Sequence, residues 1–482
     1  MPQQAITIVR SAVLAILLGC GSFVVAAPPI KGDRKPAEQI AAPADRAAIR
    51  VQGVGSCAAA NCHGSGRGAG AALWASSYTT WATADPHAQA YQVLLDPRSQ
   101  KMAKLLGKER LGSDNAHDSM LCLKCHSLQN QAEKKLPTAL LVDGVGCESC
   151  HGAASEWRTR HYLDSWKTLK PADKQKLGYV DLNTPLARAK ACVGCHVGAE
   201  NQDVNHDLIA AGHPRLTFEF SAFQQKLPKH WDTKAERADP AFEAQSWAVG
   251  QAVSLSAAAK LLAARAKLAG EHKAPWPEFA EFDCFACHHD LQNKSWRRST
   301  PRGGALGLPG WGTWYLPMAG SLAAESPEVL RVETASLQQS LDELSRSAQA
   351  SWRTPNTTDL STKAAQVAGQ ASVWAKALDD PKKYNAQAVT RLLEWATGDR
   401  GQLAQDWDGA AQLYLGIVAL HESARRRQGA QPREAIAAQN KAFAAALKKL
   451  EFPRNFDSPR DFTPQEFQSE LRTMHQLLGE GN

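Results

Sequence analysis

Residues 144–152, Gly144-Val145-Gly146-Cys147-Glu148-Ser149-Cys150-His151-Gly152, carry two thiols two residues apart and an imidazole directly after the second. The same pattern returns at Cys122-Leu123-Lys124-Cys125-His126, Cys192-Val193-Gly194-Cys195-His196 and Cys284-Phe285-Ala286-Cys287-His288. A further copy has a wider gap, Cys57-Ala58-Ala59-Ala60-Asn61-Cys62-His63. These pairs use every cysteine of the chain except Cys20.

Two thiols so placed can add across the two vinyl groups of a haem, and the histidine that follows is then positioned to ligate its iron. Zinc also takes paired cysteines, and an oxidising compartment makes disulfides, but neither needs histidine at the next position. With 15 histidines in 482 residues, five such coincidences have a probability on the order of 10⁻⁸. The residues therefore read as five covalently attached haem c groups with their iron. Cys57, Cys62, Cys122, Cys125, Cys147, Cys150, Cys192, Cys195, Cys284 and Cys287 form the thioethers, and His63, His126, His151, His196 and His288 are the proximal ligands. The first site requires four residues to loop out between its thiols. Its flanks still echo the third site: Gly64 follows His63 as Gly152 follows His151, and Gly53-Val54-Gly55 matches Gly144-Val145-Gly146.

Between residues 57 and 288 each haem has about 46 residues, too few to enclose it alone, so the porphyrins themselves must serve as core. This predicts a mainly α fold, with short helices and irregular loops around stacked haems over 56–292. A Gly-, Pro- and Trp-rich bridge follows over 293–328, where Trp311 and Trp314 are read as glue between domains. From 329 to 482 there is no cysteine. There, Leu337, Leu341, Leu344 and Ala348 repeat with helical spacing, as do Phe443, Leu447 and Leu450, and Trp407 to His421 reads as a buried helix. This half is expected to be a haem-free helical bundle without chemistry of its own, its His421 and His475 being ordinary core or surface groups. Within the haem half, Phe242 to Ala266 is the one long helix former.

A haem with histidine on both faces only exchanges electrons, whereas one with a vacant face can bind a small molecule. Four histidines outside the motifs are the leading distal candidates. Pro86 can start a helix and set His87 in its first turn. His161 follows Trp157 downstream of the third site. His206 and His213 are spaced so that one helix would hold them on one side. His117, His230 and His272 are secondary distal candidates, with solvation or propionate contact as the competing reading. His289 adjoins a proximal ligand and could serve only a neighbouring haem or support a ligand; Met102 and Met120 could supply sulfur but read as core fillers.

Arg10 precedes an apolar stretch from Ser11 to Ala27 that ends in small residues, which predicts a signal peptide over 1–27, export to the periplasm and a flexible tether over 28–55. The alternatives are an uncleaved anchor, for which the stretch is short and broken by Gly19 and Gly21, and lipid attachment at Cys20. No other segment is expected to span a bilayer. The formal charge is +7, but ten propionates and one positive charge per oxidised centre bring it to about +2. No basic run interleaved with aromatics argues for nucleic acid.

The segment 144–152, with its continuation from Trp157 to His161, resembles the signature region of the cytochrome c-554 family of multihaem proteins. The resemblance covers the haem half alone. It implies a periplasmic, mostly α-helical protein that shuttles electrons through stacked, largely bis-histidine haems. Five haems, the wider first pair and the long haem-free extension depart from that pattern. The expected function is electron transfer between redox partner proteins, with membrane-complex docking through the C-terminal half as a further role. The rival is an oxidoreductase of hydroxylamine, nitrite or a sulfur oxyanion at one five-coordinate haem, that of His126.

Overall fold

The computed structural model describes residues 49–66, 72–288, 309–398, 403–428, 431–451 and 462–479. The expected export segment with Cys20, the tether up to residue 48, His289 and bridge residues 293–308 lie outside the described residues. Among these, the chain forms α-helices, 3₁₀ turns and two isolated bridges, with no strand. Contacts divide the described residues into two units, one of 49–191 with 227–235, the other of 192–226 with 236–479.

In the first unit the helices are short and interrupted. Helix α1 spans Ser77–Ala84, and α2, Pro97–Leu111, starts at a proline that needs no N–H partner and stops at Gly112, whose φ of +75° is left-handed. Ala103 and Leu111 of α2 join Tyr91, Leu94 and Leu141 in an apolar cluster that also takes in Leu123 and Cys122 of α3, Met120–His126. The cluster thus sits directly beneath an attachment motif. Helix α4, Cys147–His151, is one turn long, and α5, Pro185–His196, runs from this unit into the next.

The second unit is a set of longer helices. After α6, His206–Ala210, and α7, Phe220–Lys226, comes α8, Phe242–Gly270, which is alanine-rich and buried on every side over most of its length. A helix apolar all round has no solvent face and must lie at the centre. Against it pack α9, Leu316–Val329; α11, Thr357–Leu378; and α13, Trp407–Arg427. Helix α10, Ala335–Arg353, packs on α9 and α11; α12, Ala386–Thr397, on α13; and α14, Arg433–Lys449, on α15, Pro464–Gly479, which also meets α12 and α13. A side chain at Gly416 would meet the Trp247 indole at 3.0 Å, so this glycine allows α13 to cross α8 closely. Polar side chains stitch the same contacts: Ser256 Oγ donates to the Ala368 carbonyl at 2.8 Å, and Gln251 to Gln412 at 3.0 Å.

This packing redraws the boundaries read from the sequence. Residues 242–270 share a core with residues 357–378 and 407–427, so the expected divisions at 292 and 329 do not separate compact units. Three attachment motifs fall in the first unit and two in the second, among the helices of the C-terminal half. Helix α8 is also long and apolar enough to cross a membrane, against the expectation, but 83% of the qualifying stretch is buried inside the protein.

The helical periodicities appear as expected. Leu337, Leu341, Leu344 and Ala348 are all buried on α10, and the apolar run of α13 is closed over from Trp407 to His421. Trp311 and Trp314 are buried too, their indole N–H groups donating to Glu281 Oε2 at 2.8 Å and the Phe218 carbonyl at 2.9 Å.

Candidate haem centres

Each attachment motif is wound on a single turn of chain, which brings its two cysteines and histidine to neighbouring positions. At the second, third and fourth motifs the turn is α-helical: α3 is capped by Ser119 Oγ accepting the Leu121 N–H at 3.2 Å, and α4 and α5 end on His151 and His196. At the fifth it is a 3₁₀ turn, Cys284–Ala286, capped by Asp283, with His288 N–H donating to the Cys284 carbonyl at 2.8 Å. The wide first motif does loop out. Cys62 and Gly64 N–H both donate to the Ala59 carbonyl, at 2.9 and 3.0 Å, folding the extra residues into a tight turn.

The glycines after His63 and His151 have the same task. A Cβ at Gly64 would fall 1.9 Å from the Ala58 carbonyl oxygen, and one at Gly152, with φ +82°, 2.0 Å from that of Gly178. Either would collide with backbone. None of the ten motif cysteines is in a disulfide.

The first and third motifs are joined by Glu148. This carboxylate, 2% exposed, accepts the N–H groups of Gln52 (2.9 and 3.0 Å), Gly53 (2.8 Å) and Ala154 (2.7 Å). Val54 follows into contact with Gly146, where a Cβ would approach within 2.3 Å of Val54 Cγ1. The Cys57 thiol is drawn down to about 6, chiefly by a hydrogen bond with Cys147, and the Cys147 thiol is pushed up by the same bond and by burial. The paired Gly-Val-Gly segments read in the sequence are therefore the places where the two motifs touch.

Two pairs of imidazoles stand close to the spacing that two ligands of one iron would need. Metal–imidazole bonds of about 2.0 Å on opposite faces of one iron put two ring centroids about 6 Å apart. His63 and His161 lie 5.9 Å apart with planes 17° from parallel, and His151 and His230 lie 6.5 Å apart at 75°. His161 is a predicted distal candidate. His230 is a secondary one, and its place beside His151 depends on residues 227–235 packing with the first unit, which no local pattern announces.

Nδ1 contacts sort these rings further. A backbone carbonyl accepts from Nδ1 of His63 (Trp74, 2.8 Å), His126 (Ala90, 2.9 Å), His161 (Arg158, 2.6 Å), His213 (Pro214, 2.8 Å) and His230 (Pro228, 3.3 Å). For His87 the acceptor is the Asp85 carboxylate, at 2.9 Å. A proton held on Nδ1 leaves the lone pair on Nε2, the tautomer a metal ligand needs. Burial pulls His151 down to about 4 and lowers His126, His161 and His230, so these rings stay neutral, as ligation requires. His117 differs: its Nε2 faces Asp118 at 3.6 Å and its Nδ1 faces the Gln100 amide at 3.5 Å. His272 is exposed, with φ +58°, at the turn that ends α8.

The remaining candidates are dispersed. His87 sits in a 3₁₀ turn opened by Pro86, as expected, and its carbonyl accepts Val145 N–H at 3.0 Å on the loop before the third motif. His206 and His213 do not share a helix, contrary to the spacing argument. Helix α6 stops at Ala210 and Gly212 adopts φ +120°, which turns His213 away from the helical path. His206 instead packs on Phe279, centroids 5.3 Å apart, upstream of the fifth motif. The ring of His196 is bracketed by Phe218 and Phe223 at 5.3 and 5.1 Å.

Residues 56–152 and 153–213 match the family of cytochrome c554 and c-prime. The haem half resembles cytochrome c554. No curated protein and no solved structure matches the chain. The matched cytochrome c554 region contains the first four attachment motifs, and the fifth lies beyond it. The protein is thus a multihaem c-type cytochrome, mainly helical, with covalently bound haem c and iron, and its chemistry is electron transfer or oxidoreduction.

The described residues fit that cofactor in a way independent of the motif. Among the buried polar atoms without a hydrogen-bond partner are Ser149 Oγ, inside the third motif, and Trp157 Nε1 and Arg158 Nε, shortly after it. Buried polar groups are normally paired, so these leave room for a polar ligand beside that motif. Haem propionates would supply acceptors for the indole and guanidinium N–H groups. Bound haem supplies a reversible one-electron couple; the protein's part is to hold it, orient its ligands and exclude water.

Proposed function

We propose that this is an exported, periplasmic pentahaem cytochrome that passes electrons between redox partner proteins. The observation that carries the reading is the His63–His161 pair, 5.9 Å apart with both Nδ1 atoms committed to backbone carbonyls. Such a pair closes both faces of one iron and leaves it no substrate position. His151 with His230, 6.5 Å apart, is the pair that would close a second. The Cys57–Cys147 contact and the Glu148 latch support close approach of the first and third haems, which favours rapid exchange between them. In this reading Cys57 to Cys287 of the five motifs carry the thioethers, and His87, His206 and His213 are the remaining distal candidates.

Low-temperature electron paramagnetic resonance of the oxidised protein tests the proposal. Low-spin signals integrating to five haems per chain are expected. A substantial high-spin fraction in the intact protein would shift the function to small-molecule chemistry at an open iron.

A further inference from the structure

Arg215 lies two residues beyond His213 and reaches toward the fifth attachment motif. Its Nη1 approaches Cys284 Sγ at 3.6 Å, and its guanidinium carbon stands 5.9 Å from the ring centres of both Phe285 and Trp314. It also lines a small cavity of about 70 Å³ with Val197, Leu216, Leu261, Arg265 and Tyr315. This is a cation in a largely apolar setting, touching a sulfur that is a thioether in the mature protein.

The charge is answered from the C-terminal half. Asp408, on the first turn of α13 and 1% exposed, accepts from Arg215 Nη2 at 2.8 Å through Oδ1 and from Thr313 Oγ1 at 2.7 Å through Oδ2. Both carboxylate oxygens are taken, so the side chain is held in place. Arg215 cannot lose its proton, and removing one partner of a buried ion pair leaves the other uncompensated.

We propose that Asp408 is a positioning residue for electron transfer, which holds Arg215 against Cys284 and neutralises it there, and thereby sets the reduction potential of the fifth haem. A fixed cation beside an iron favours the ferrous form, which has one positive charge fewer, and a carboxylate at 2.8 Å cancels most of that field. The half of the chain without cysteine then has a redox role: one of its carboxylates decides how readily the last haem accepts an electron. The inference rests on the five-haem reading.

The test is redox titration of the intact cytochrome followed by electron paramagnetic resonance. The fifth haem is identified as the signal missing from a Cys284→Ala/Cys287→Ala double variant. Asp408→Asn should raise the potential of that signal alone, favouring its reduction at least tenfold, or about 59 mV for one electron. Arg215→Gln should move the same signal downward, and the double variant should return close to the parent. If Asp408→Asn does not fold, the downward shift in Arg215→Gln decides. Haem on the 284–288 peptide by mass spectrometry, with its potential unmoved in either variant, overturns this inference alone. Absence of haem from that peptide overturns the five-haem reading and this inference with it.

Discussion

The carboxylate of Glu148 accepts the backbone N–H of Gly53 at 2.8 Å, across a chain separation of 95 residues. Glu148 stands between the two cysteines of the third motif, and Gly53 opens the turn before the first, so this bond assembles two haem sites into one body. With Gln52 and Ala154 also donating, the carboxylate replaces its water with backbone N–H groups. Removing it leaves those donors buried and unpaired, each costing on the order of 1–3 kcal/mol. Glu148→Ala should therefore destabilise the protein by at least about 3 kcal/mol and loosen the first site before the second. Denaturant unfolding followed at the haem absorbance measures this, and a loss under about 1 kcal/mol would falsify the latch.

His161→Ala should convert one low-spin haem to high-spin, because it removes the ring facing His63. His230→Ala should do the same for the haem of His151. In contrast, His117→Ala should leave the spectrum unchanged, since both its ring nitrogens face polar side chains. Electron paramagnetic resonance of the three variants checks this, and a high-spin signal from His117→Ala, or none from His161→Ala, refutes the assignment.

Gly152→Ala and Gly55→Ala should separate sharply. At Gly152 a methyl group would stand 2.0 Å from a carbonyl oxygen in a backbone with φ +82°; at Gly55 nothing lies within 4 Å. The first change should cost about 2–4 kcal/mol and lower haem incorporation at the third motif, while the second stays within about 0.5 kcal/mol of the parent. Equal melting temperatures for the two variants would mean that the turn after His151 is not the constraint described.

Glu219 supplies a pH dependence. Burial, aided by the neighbouring charge of Glu243, raises its carboxyl to about 7, although the Ala222 and Ser221 N–H groups donate to it at 2.7 and 3.1 Å. Between its ordinary value of 4.5 and about 7 the folded state holds a proton that the unfolded state releases. Stability contributed by this group is thus greatest below the unfolded value and falls as pH rises through the window, by about 3 kcal/mol in all. Glu219→Gln should flatten that slope and raise the melting temperature at pH 8. An unchanged slope, measured by calorimetry from pH 4.5 to 8, would place the titrating group elsewhere.

Part of this was readable because its cause is local. Haem attachment uses two thiols and an imidazole within a short stretch of chain, so the motif itself points to the cofactor and to the residues proposed to hold it. Helical periodicity is equally local, and α8, α10 and α13 appear where their apolar spacing put them. The chain's departures from expectation share the opposite cause. His206 and His213 part company because Gly212 takes a left-handed backbone, which overrides a spacing that would suit one helix. His230 reaches His151 because residues 227–235 pack with the first unit, although their neighbours on both sides belong to the second.

From its sequence alone, then, this protein is committed to being a helical multihaem c-type cytochrome, since covalent chemistry and helix formation act over a few residues. Tertiary structure decided which imidazoles face one another, how Glu148 binds the first motif to the third, and that Asp408 answers the charge of Arg215. Those choices depend on burying charge and excluding water between segments far apart in the chain. Such terms have no value until the segments meet.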